Sequence, residues 1–154
     1  MSSESKLFEA QSALSDGADE IDMVMNIGLL KSHDYDAFAE DIRAIKKIMP
    51  NKVLKVILET CYLDDDEIIK ASSIAIECGA DFIKTSTGFG TEGATVKNIR
   101  LMKYAAHKSN TKLKASGGIR NYNIAKEFID LGVDRLGLSS SIAIVDGSTG
   151  TSDY

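Results

Sequence analysis

One short phrase occurs three times in this chain of 154 residues, each time between a helical pattern and an apolar strand pattern. It is Gly-Ala-Asp at residues 17–19 and 79–81, and Gly-Val-Asp at residues 132–134. A glycine directly after a helix supplies the left-handed residue that ends it, and a two-residue turn is enough to enter a strand. The chain therefore predicts the same helix-to-strand corner three times, which is typical of a parallel sheet with helical crossovers.

Apolar periodicity divides the rest of the chain into alternating helices and strands. Helices are predicted at about residues 4–15, 35–49, 64–78, 95–108 and 121–131. Strands are predicted at about residues 20–26, 52–59, 81–85, 112–116 and 135–139. Because the glycine corners lie at the strand starts, the strand ends and the loops after them form the opposite face, where α/β barrels carry their chemistry.

The composition is typical of one globular domain spanning residues 1–154, with 44% hydrophobic and 27% charged residues. A net charge of −5 and scattered basic residues argue against a nucleic-acid partner. The chain has no apolar run near the ~20 residues of a membrane span and no signal-peptide pattern at its start, so we expect no membrane partner and a cytoplasmic location. Residues 147–154 are polar and are expected to form a flexible C-terminal tail.

The sequence gives little indication of a metal site, a catalytic cysteine or a serine-hydrolase triad. Cys61 and Cys78 show neither a metal-ligand spacing nor a disulfide framework, so we expect two reduced thiols. The two histidines do not indicate a Ser-His-Asp triad. The acidic run at residues 64–67 begins a predicted helix, where carboxylates bind free N–H groups, and this favours a helix start over a cation site. We expect neither a metal nor a cofactor.

Two lysines, Lys84 and Lys114, lie in the middle of segments that are otherwise typical of buried strands. Lysine is rarely buried without a reason, and two ammonium groups on neighbouring strands would repel each other. One of them should therefore be partly neutral. A neutral, desolvated lysine attacks carbonyl groups to form a Schiff base, so the pair predicts covalent catalysis by an amine.

Strand alternation predicts which side chains face one another. If the oily faces of the strands meet the helices, then Asp22, Lys55, Lys84 and Lys114 project into the interior. Asp22 can hold Lys114 charged and pass a proton through water, Lys114 can make the neutral form of Lys84 accessible, and Lys55 can support the group from inside. The alternative is a buried ion network kept for stability, although such networks rarely stabilise more than an apolar core.

Glycine-rich loops after the last two predicted strands indicate an anion site. Residues 117–120 (Gly-Gly-Ile-Arg) and 137–141 (Gly-Leu-Ser-Ser-Ser) each run from a strand to a helix. Backbone N–H groups and a helix N-terminus can hold a phosphate there, and Gly88 could add a donor. Each glycine pair alone is equally typical of a plain turn, so the prediction depends on the two loops being adjacent.

Four segments of the chain resemble the deoxyribose-phosphate aldolase family. The resemblance runs from about residue 6 to residue 147 and implies a class I aldolase on a TIM (β/α)₈ barrel. Members reversibly cleave 2-deoxy-D-ribose 5-phosphate to D-glyceraldehyde 3-phosphate and acetaldehyde without a metal, a step of deoxyribonucleotide catabolism. The segments are Gly-Ala-Asp-Glu-Ile-Asp-Met-Val from Gly17, Leu-Lys-Val-Ile-Leu-Glu-Thr from Leu54, Gly-Ala-Asp-Phe-Ile-Lys-Thr-Ser-Thr-Gly from Gly79 and Lys-Ala-Ser-Gly-Gly-Ile-Arg from Lys114.

The resemblance also implies roles for individual residues. It makes Lys84 the Schiff-base lysine, Lys114 the lysine that perturbs it and Asp22 the acid of a proton relay. Some members use a mobile C-terminal tyrosine in proton transfer, so Tyr154 is a further candidate. The phosphate-pocket positions are Gly88, Gly117, Gly118, Arg120, Gly137, Ser139 and Ser140.

The chain departs from this family at its N-terminus. Family members begin with about three further strand-helix units, so we expect a partial barrel of about five units. Five strands cannot close an eight-stranded barrel and would leave two unpaired edges. We therefore expect a truncated chain or one completed by assembly, such as a homo-oligomer of two or more copies. Two alternatives stay open: a catalytically inactive remnant that binds a sugar phosphate or a partner chain, and another phosphate-binding barrel enzyme such as an isomerase.

Overall fold

The computed structural model describes residues 1–147, which form one five-stranded parallel sheet with helices between successive strands. The strands lie side by side in chain order, so the predicted α/β fold with parallel strands is confirmed. The strands are β1 Glu20–Val24, β2 Val53–Ile57, β3 Phe82–Lys84, β4 Lys112–Ser116 and β5 Arg135–Gly137. The helices are α1 Ser3–Ser15, α2 Ile27–Lys31, α3 Tyr35–Ile48, α4 Asp65–Glu77, α5 Val96–Ala105, α6 Tyr122–Asp130 and α7 Ser141–Val145, and a 3₁₀ turn spans Thr60–Tyr62.

Side-chain caps fix where the longer helices begin. At α4, the Asp64 carboxylate accepts the Glu67 N–H at 2.9 Å, and the Glu67 carboxylate accepts the Asp64 N–H at 2.9 Å. This reciprocal capping box satisfies two free donors, so the acidic run at the start of α4 is explained as a helix start. Side chains that also accept from the first turn of a helix are Ser2, Asn26, Asp34, Thr95 and Asn121.

The repeated glycine corners are present as predicted. Gly17, Gly79 and Gly132 follow α1, α4 and α6 with φ of +99°, +86° and +88°. A side chain at these positions would be strained by the left-handed backbone, which explains the repeated glycine.

The aspartate of each corner has a separate function in joining strands. Asp81, just before β3, accepts the Leu54 N–H of β2 at 2.8 Å. Asp134, just before β5, accepts the Leu113 N–H of β4 at 2.9 Å. Asp19 holds the same position before β1, but β1 is an edge of the described sheet and the Asp19 side chain is 93% exposed. Two of the three corners therefore link a strand to the one before it, β3 to β2 and β5 to β4.

Three short elements were not predicted from the sequence: α2, α7 and the 3₁₀ turn. Each spans five residues or fewer, which is too short for apolar periodicity to be detected. The helix predicted to reach residue 108 ends at Ala105, and Lys108 follows it with φ of +71°. No helix in the described part of the chain is long and apolar enough to span a membrane.

The two faces of the sheet differ in polarity. The face that meets the helices is apolar and almost fully buried, and its side chains include Met23, Leu54, Val56, Ile83 and Leu113. The other face carries charged side chains from all five strands. The strand register pairs Asp22 with Lys55 and Lys84 with Lys114. Lys84 lies opposite Ile57 of β2, so the second pair is two residues further along the hollow side of the sheet than the first.

The sheet is strongly curved. β1 and β5 are its two edges, yet the Arg135 guanidinium of β5 donates to the Glu20 carboxylate of β1 at 2.7 Å across the hollow side. Side chains of the first and last strands can meet only if the sheet bends around the charged face. The charged side chains therefore lie inside a partial barrel.

Candidate active site

The two lysines and Asp22 are in direct contact. Lys84 is the last residue of β3, and Lys114 lies beside it in β4. One oxygen of Asp22, Oδ2, accepts from Lys84 Nζ at 2.9 Å and from Lys114 Nζ at 3.4 Å. The lysine side chains are only 11% and 16% exposed, so both amines lie largely inside the partial barrel.

Lys55 occupies the other oxygen of Asp22. Its Nζ lies 2.5 Å from Asp22 Oδ1 and 2.7 Å from Glu20 Oε2, and its side chain is 4% exposed. Burial by itself raises the pKa of Asp22, but the hydrogen bonds from Lys55 and Lys84 outweigh it and hold that pKa well below its usual range. Asp22 is therefore a fixed anion in contact with three lysine side chains.

Lys114 has a perturbed amine. Burial, followed by the charge of Lys84, lowers the pKa of Lys114, while Asp22 acts in the opposite direction. A Cβ at Gly137 would lie 3.5 Å from Lys114 Cε and 2.8 Å from Ser116 Cβ. The glycine at this point of β5 thus leaves room for the Ser116 side chain, while Lys114 Cε would be at ordinary contact distance.

A cleft of about 530 Å³ opens above the two amines. Gly88, Gly117 and Gly118 have positive φ values of +98°, +79° and +73°, which favour glycine. A Cβ on Gly93 would overlap with the Gly117 carbonyl, because the loop after β3 packs directly on the loop after β4. The residues lining the cleft are Lys84, Thr87, Gly88, Phe89, Lys114, Ser116, Gly117, Gly118, Ile119, Gly137, Leu138 and Ser139.

Most of the residues predicted for phosphate binding line this cleft. Gly88, Gly117, Gly118, Gly137 and Ser139 are among its lining residues. Arg120 is exposed, and Arg120 and Ser140 lie outside the lining set. Tyr154 and the predicted tail beyond residue 147 lie outside the described residues.

Glu59 is a residue of the site that sequence reasoning did not select. It is 4% exposed at the end of β2, and its φ of +52° is unusual for a residue with a side chain. Its carboxylate accepts the Thr87 N–H at 3.1 Å and also the Thr87 hydroxyl. Glu59 therefore holds the loop that follows Lys84, and its place on the Lys55 face of β2 was the available signal.

Among residues 1–147, no group of three or more histidine, cysteine or acidic side chains is arranged to hold a metal ion. The described residues bring two amines and a carboxylate together beside a glycine-rich cleft.

Comparison with known proteins identifies the family of the chain. A family model described as DeoC/LacD family aldolase matches residues 2–134. This chain belongs to the DeoC/LacD family of aldolases. It is 54% identical over 147 residues to a deoxyribose-phosphate aldolase from Finegoldia magna, covering 96% of this chain and 68% of the relative. The resemblance predicted from four sequence segments is confirmed.

Solved aldolase structures have the same fold. An aldolase named QR15 is 46% identical with a TM-score of 0.89, and the alignment covers 95% of this chain and 66% of QR15. A deoxyribose phosphate aldolase from Aeropyrum pernix, described as having a unique tetrameric structure, is 32% identical with a TM-score of 0.85; 95% of this chain covers 62% of it. The chain therefore spans about two thirds of the length of these relatives, and the predicted partial barrel is confirmed.

Proposed function

We propose that this chain carries the catalytic amine of a Schiff-base aldolase that reversibly cleaves 2-deoxy-D-ribose 5-phosphate to D-glyceraldehyde 3-phosphate and acetaldehyde. The observation that supports it best is the sharing of Asp22 Oδ2 by Lys84 and Lys114 at the floor of a cleft. Two amines on one carboxylate let one amine be neutral while the other stays charged. A purely structural core would not need both.

Imine formation begins the proposed reaction. The neutral Lys84 Nζ adds to the C1 aldehyde of the substrate, and the resulting carbinolamine loses water to give a protonated imine. Lys114 is the partner amine, because its lowered pKa suits a group that gives and takes protons in the cleft. Asp22 stays ionised and orients both amines and the water through which protons reach them.

Carbon–carbon cleavage follows from the imine. The C3 hydroxyl gives its proton to the neutral form of the Lys114 amine, the C2–C3 bond breaks, and its electron pair moves toward the iminium nitrogen to leave an enamine on Lys84. The three-carbon product departs as D-glyceraldehyde 3-phosphate. Protonation of the enamine at C2 and hydrolysis of the imine then release acetaldehyde and restore the lysine.

The glycine loops are proposed to bind the phosphate. Gly88, Gly117 and Gly118 bring backbone into the cleft near Lys84, and glycine-rich backbone with positive φ values is typical of anion-binding loops. Ser139 adds a hydroxyl at the same end. Anchoring the phosphate would place the far end of the sugar so that C1 reaches Lys84.

Reductive trapping tests this proposal. Acetaldehyde with cyanoborohydride should add an ethyl group to Lys84, and 2-deoxyribose 5-phosphate with borohydride should leave a sugar-phosphate adduct there, both located by peptide mass spectrometry. Lys84→Met should abolish both adducts. Lys126→Met is the matched control, because Lys126 is 53% exposed on α6 and pairs only with Asp130 among the described residues. A folded wild-type protein without an adduct on Lys84 would rule the proposal out.

The same experiment separates the competing functions. A remnant that only binds sugar phosphate would bind the substrate without an adduct or acetaldehyde release. A phosphosugar isomerase would remain active after Lys84→Met. Neither alternative accounts for the contacts that Lys84 and Lys114 share through Asp22.

Two further parts of the proposal concern the whole protein. We propose a homo-oligomer, supported by the tetrameric relative from Aeropyrum pernix and by the two open edges of the sheet. Light scattering of the purified protein would measure the number of copies. The cytoplasmic location remains a prediction that cell fractionation would check.

A further inference from the structure

An ion pair joins the first residues of β1 and β5. Glu20 Oε2 accepts from Arg135 at 2.7 Å and from Lys55 Nζ at 2.7 Å. Lys55 also contacts Asp22, so one ammonium lies between two carboxylates. The signs alternate from Arg135 through Glu20 and Lys55 to Asp22, which then meets the two amines.

We propose that Glu20 and Arg135 are positioning residues that set how easily the Lys84 and Lys114 amines lose a proton. This inference rests on the proposed function of Lys84 as the Schiff-base amine. Neither Glu20 nor Arg135 lines the cleft, so both would act through Lys55 and Asp22 rather than on the substrate.

The Lys55 side chain is only 4% exposed, so its amine is surrounded by its carboxylate partners rather than by water. Its charge is divided between Glu20 and Asp22, at 2.7 Å and 2.5 Å. If Glu20 lost its charge, the cluster would gain one net positive charge, and ammonium groups nearby would release protons more readily. The effect would reach the amines because Asp22 contacts all three lysines.

Arg135 has the opposite influence. It carries the charge that offsets Glu20, and hydrogen bonds from Arg135 and then Lys55 lower the pKa of Glu20 to about 2. Without Arg135 the cluster would lose one positive charge, and the amines would hold their protons to higher pH. The charged groups facing Asp22 are Glu20 from β1, Lys55 from β2, Lys84 from β3, Lys114 from β4 and Arg135 from β5.

A simpler role for this ion pair would be to join the edge strands β1 and β5. That role predicts the same loss of stability whichever partner is changed, with no effect on the amines that depends on sign. The charge-balance role predicts opposite effects from the two partners. A measurement of amine protonation therefore separates the two.

The experiment compares Glu20→Gln with Arg135→Gln, which remove the charge and keep much of the side chain. Trace labelling with acetic anhydride across a pH series, read by mass spectrometry at low ionic strength, gives the midpoint pH at which Lys84 and Lys114 become reactive. We expect the midpoint to fall by roughly half a pH unit in Glu20→Gln and to rise by roughly as much in Arg135→Gln. The double variant should return close to the wild type.

Controls keep the result interpretable. Asp130→Asn breaks an exposed ion pair on α6 and should leave both midpoints unchanged. Circular dichroism checks folding; if Glu20→Gln unfolds, Arg135→Gln is compared with Arg135→Lys, which keeps the charge and should keep the wild-type midpoint. Midpoints that stay within about 0.1 pH unit, or that move in the same direction in both single variants, overturn the inference. Labelling does not require turnover, so absence of the Lys84 imine adduct would contradict the proposed function separately.

Discussion

Replacing Asp22 with asparagine should destabilise the folded protein by about 2–4 kcal/mol at pH 7. Asp22 accepts hydrogen bonds from Lys55 at 2.5 Å, Lys84 at 2.9 Å and Lys114 at 3.4 Å. A hydrogen bond to a charged group contributes about 1.5–3 kcal/mol, and the amide of asparagine would turn its own donors toward ammonium groups. The full loss is smaller than three such bonds, because the Asp22 side chain is 29% exposed and Lys55 keeps Glu20.

The pH dependence of this loss has a defined sign. Although burial alone raises the pKa of Asp22, Lys55 and Lys84 hold it below the ordinary value of 3.8. A lowered pKa in the folded state means that the carboxylate contributes its full stability above about pH 4 and loses it as the pH falls further. The difference in free energy of unfolding between wild type and Asp22→Asn should therefore be constant from about pH 7 to pH 5 and should shrink below about pH 4.

Urea unfolding followed by circular dichroism at pH 7, 5 and 3.5 measures that difference. Asp130→Asn serves as the matched control, since it neutralises a carboxylate that is 62% exposed, and it should change stability by less than about 0.5 kcal/mol. A loss below about 1 kcal/mol for Asp22→Asn at pH 7 would refute the reasoning, as would an undiminished loss at pH 3.5.

Two further predictions concern the frame of the site. Asp134→Ala should lower the free energy of unfolding, measured by urea titration, by about 1–3 kcal/mol, because the Leu113 N–H of β4 loses its acceptor. Asp19→Ala should lower it by less than about 0.5 kcal/mol, because the Asp19 side chain is exposed. Equal losses in the two variants would contradict the strand-linking role. Gly93→Ala should displace the Gly117 loop and weaken substrate binding at least about tenfold, while acetaldehyde trapping on Lys84 stays intact. Gly28→Ala is the control: its added Cβ would meet only one atom, at 3.4 Å, so substrate binding and trapping should both stay unchanged.

The features that could be predicted from sequence are those fixed by residues close in the chain. A glycine that ends a helix and an aspartate two residues later specify each corner locally. The order of helices and strands, and the polar and apolar face of each strand, could therefore be predicted from the sequence. The short helices α2 and α7 could not be predicted, because five residues cannot establish a helical period. The inward charges were predictable because strand alternation needs only one strand at a time.

The connections between charges were beyond sequence reasoning. The register and curvature of the whole sheet determine which oxygen of Asp22 accepts a hydrogen bond from which lysine. The Glu20–Arg135 contact joins residues 115 positions apart, and the Glu59–Thr87 contact joins residues 28 positions apart. Both were missed for the same reason: their partners are set by the bend of the sheet, which the sequence specifies only collectively.

The charged groups around Asp22 and the substrate cleft depend on different parts of the sheet. All six charged groups, from Arg135 to Lys114, come from β1 to β5 and meet within the described sheet, so the proposed amine chemistry takes its charged groups from these five strands. A sugar phosphate also needs walls around the cleft, and β5, whose Gly137 lines the cleft, is an open edge of the described sheet. Acetaldehyde needs only the amine. If acetaldehyde is trapped on Lys84 but the phosphosugar is not turned over, the cleft walls are incomplete. If neither reaction occurs, the charged groups around Lys84 do not make its amine reactive.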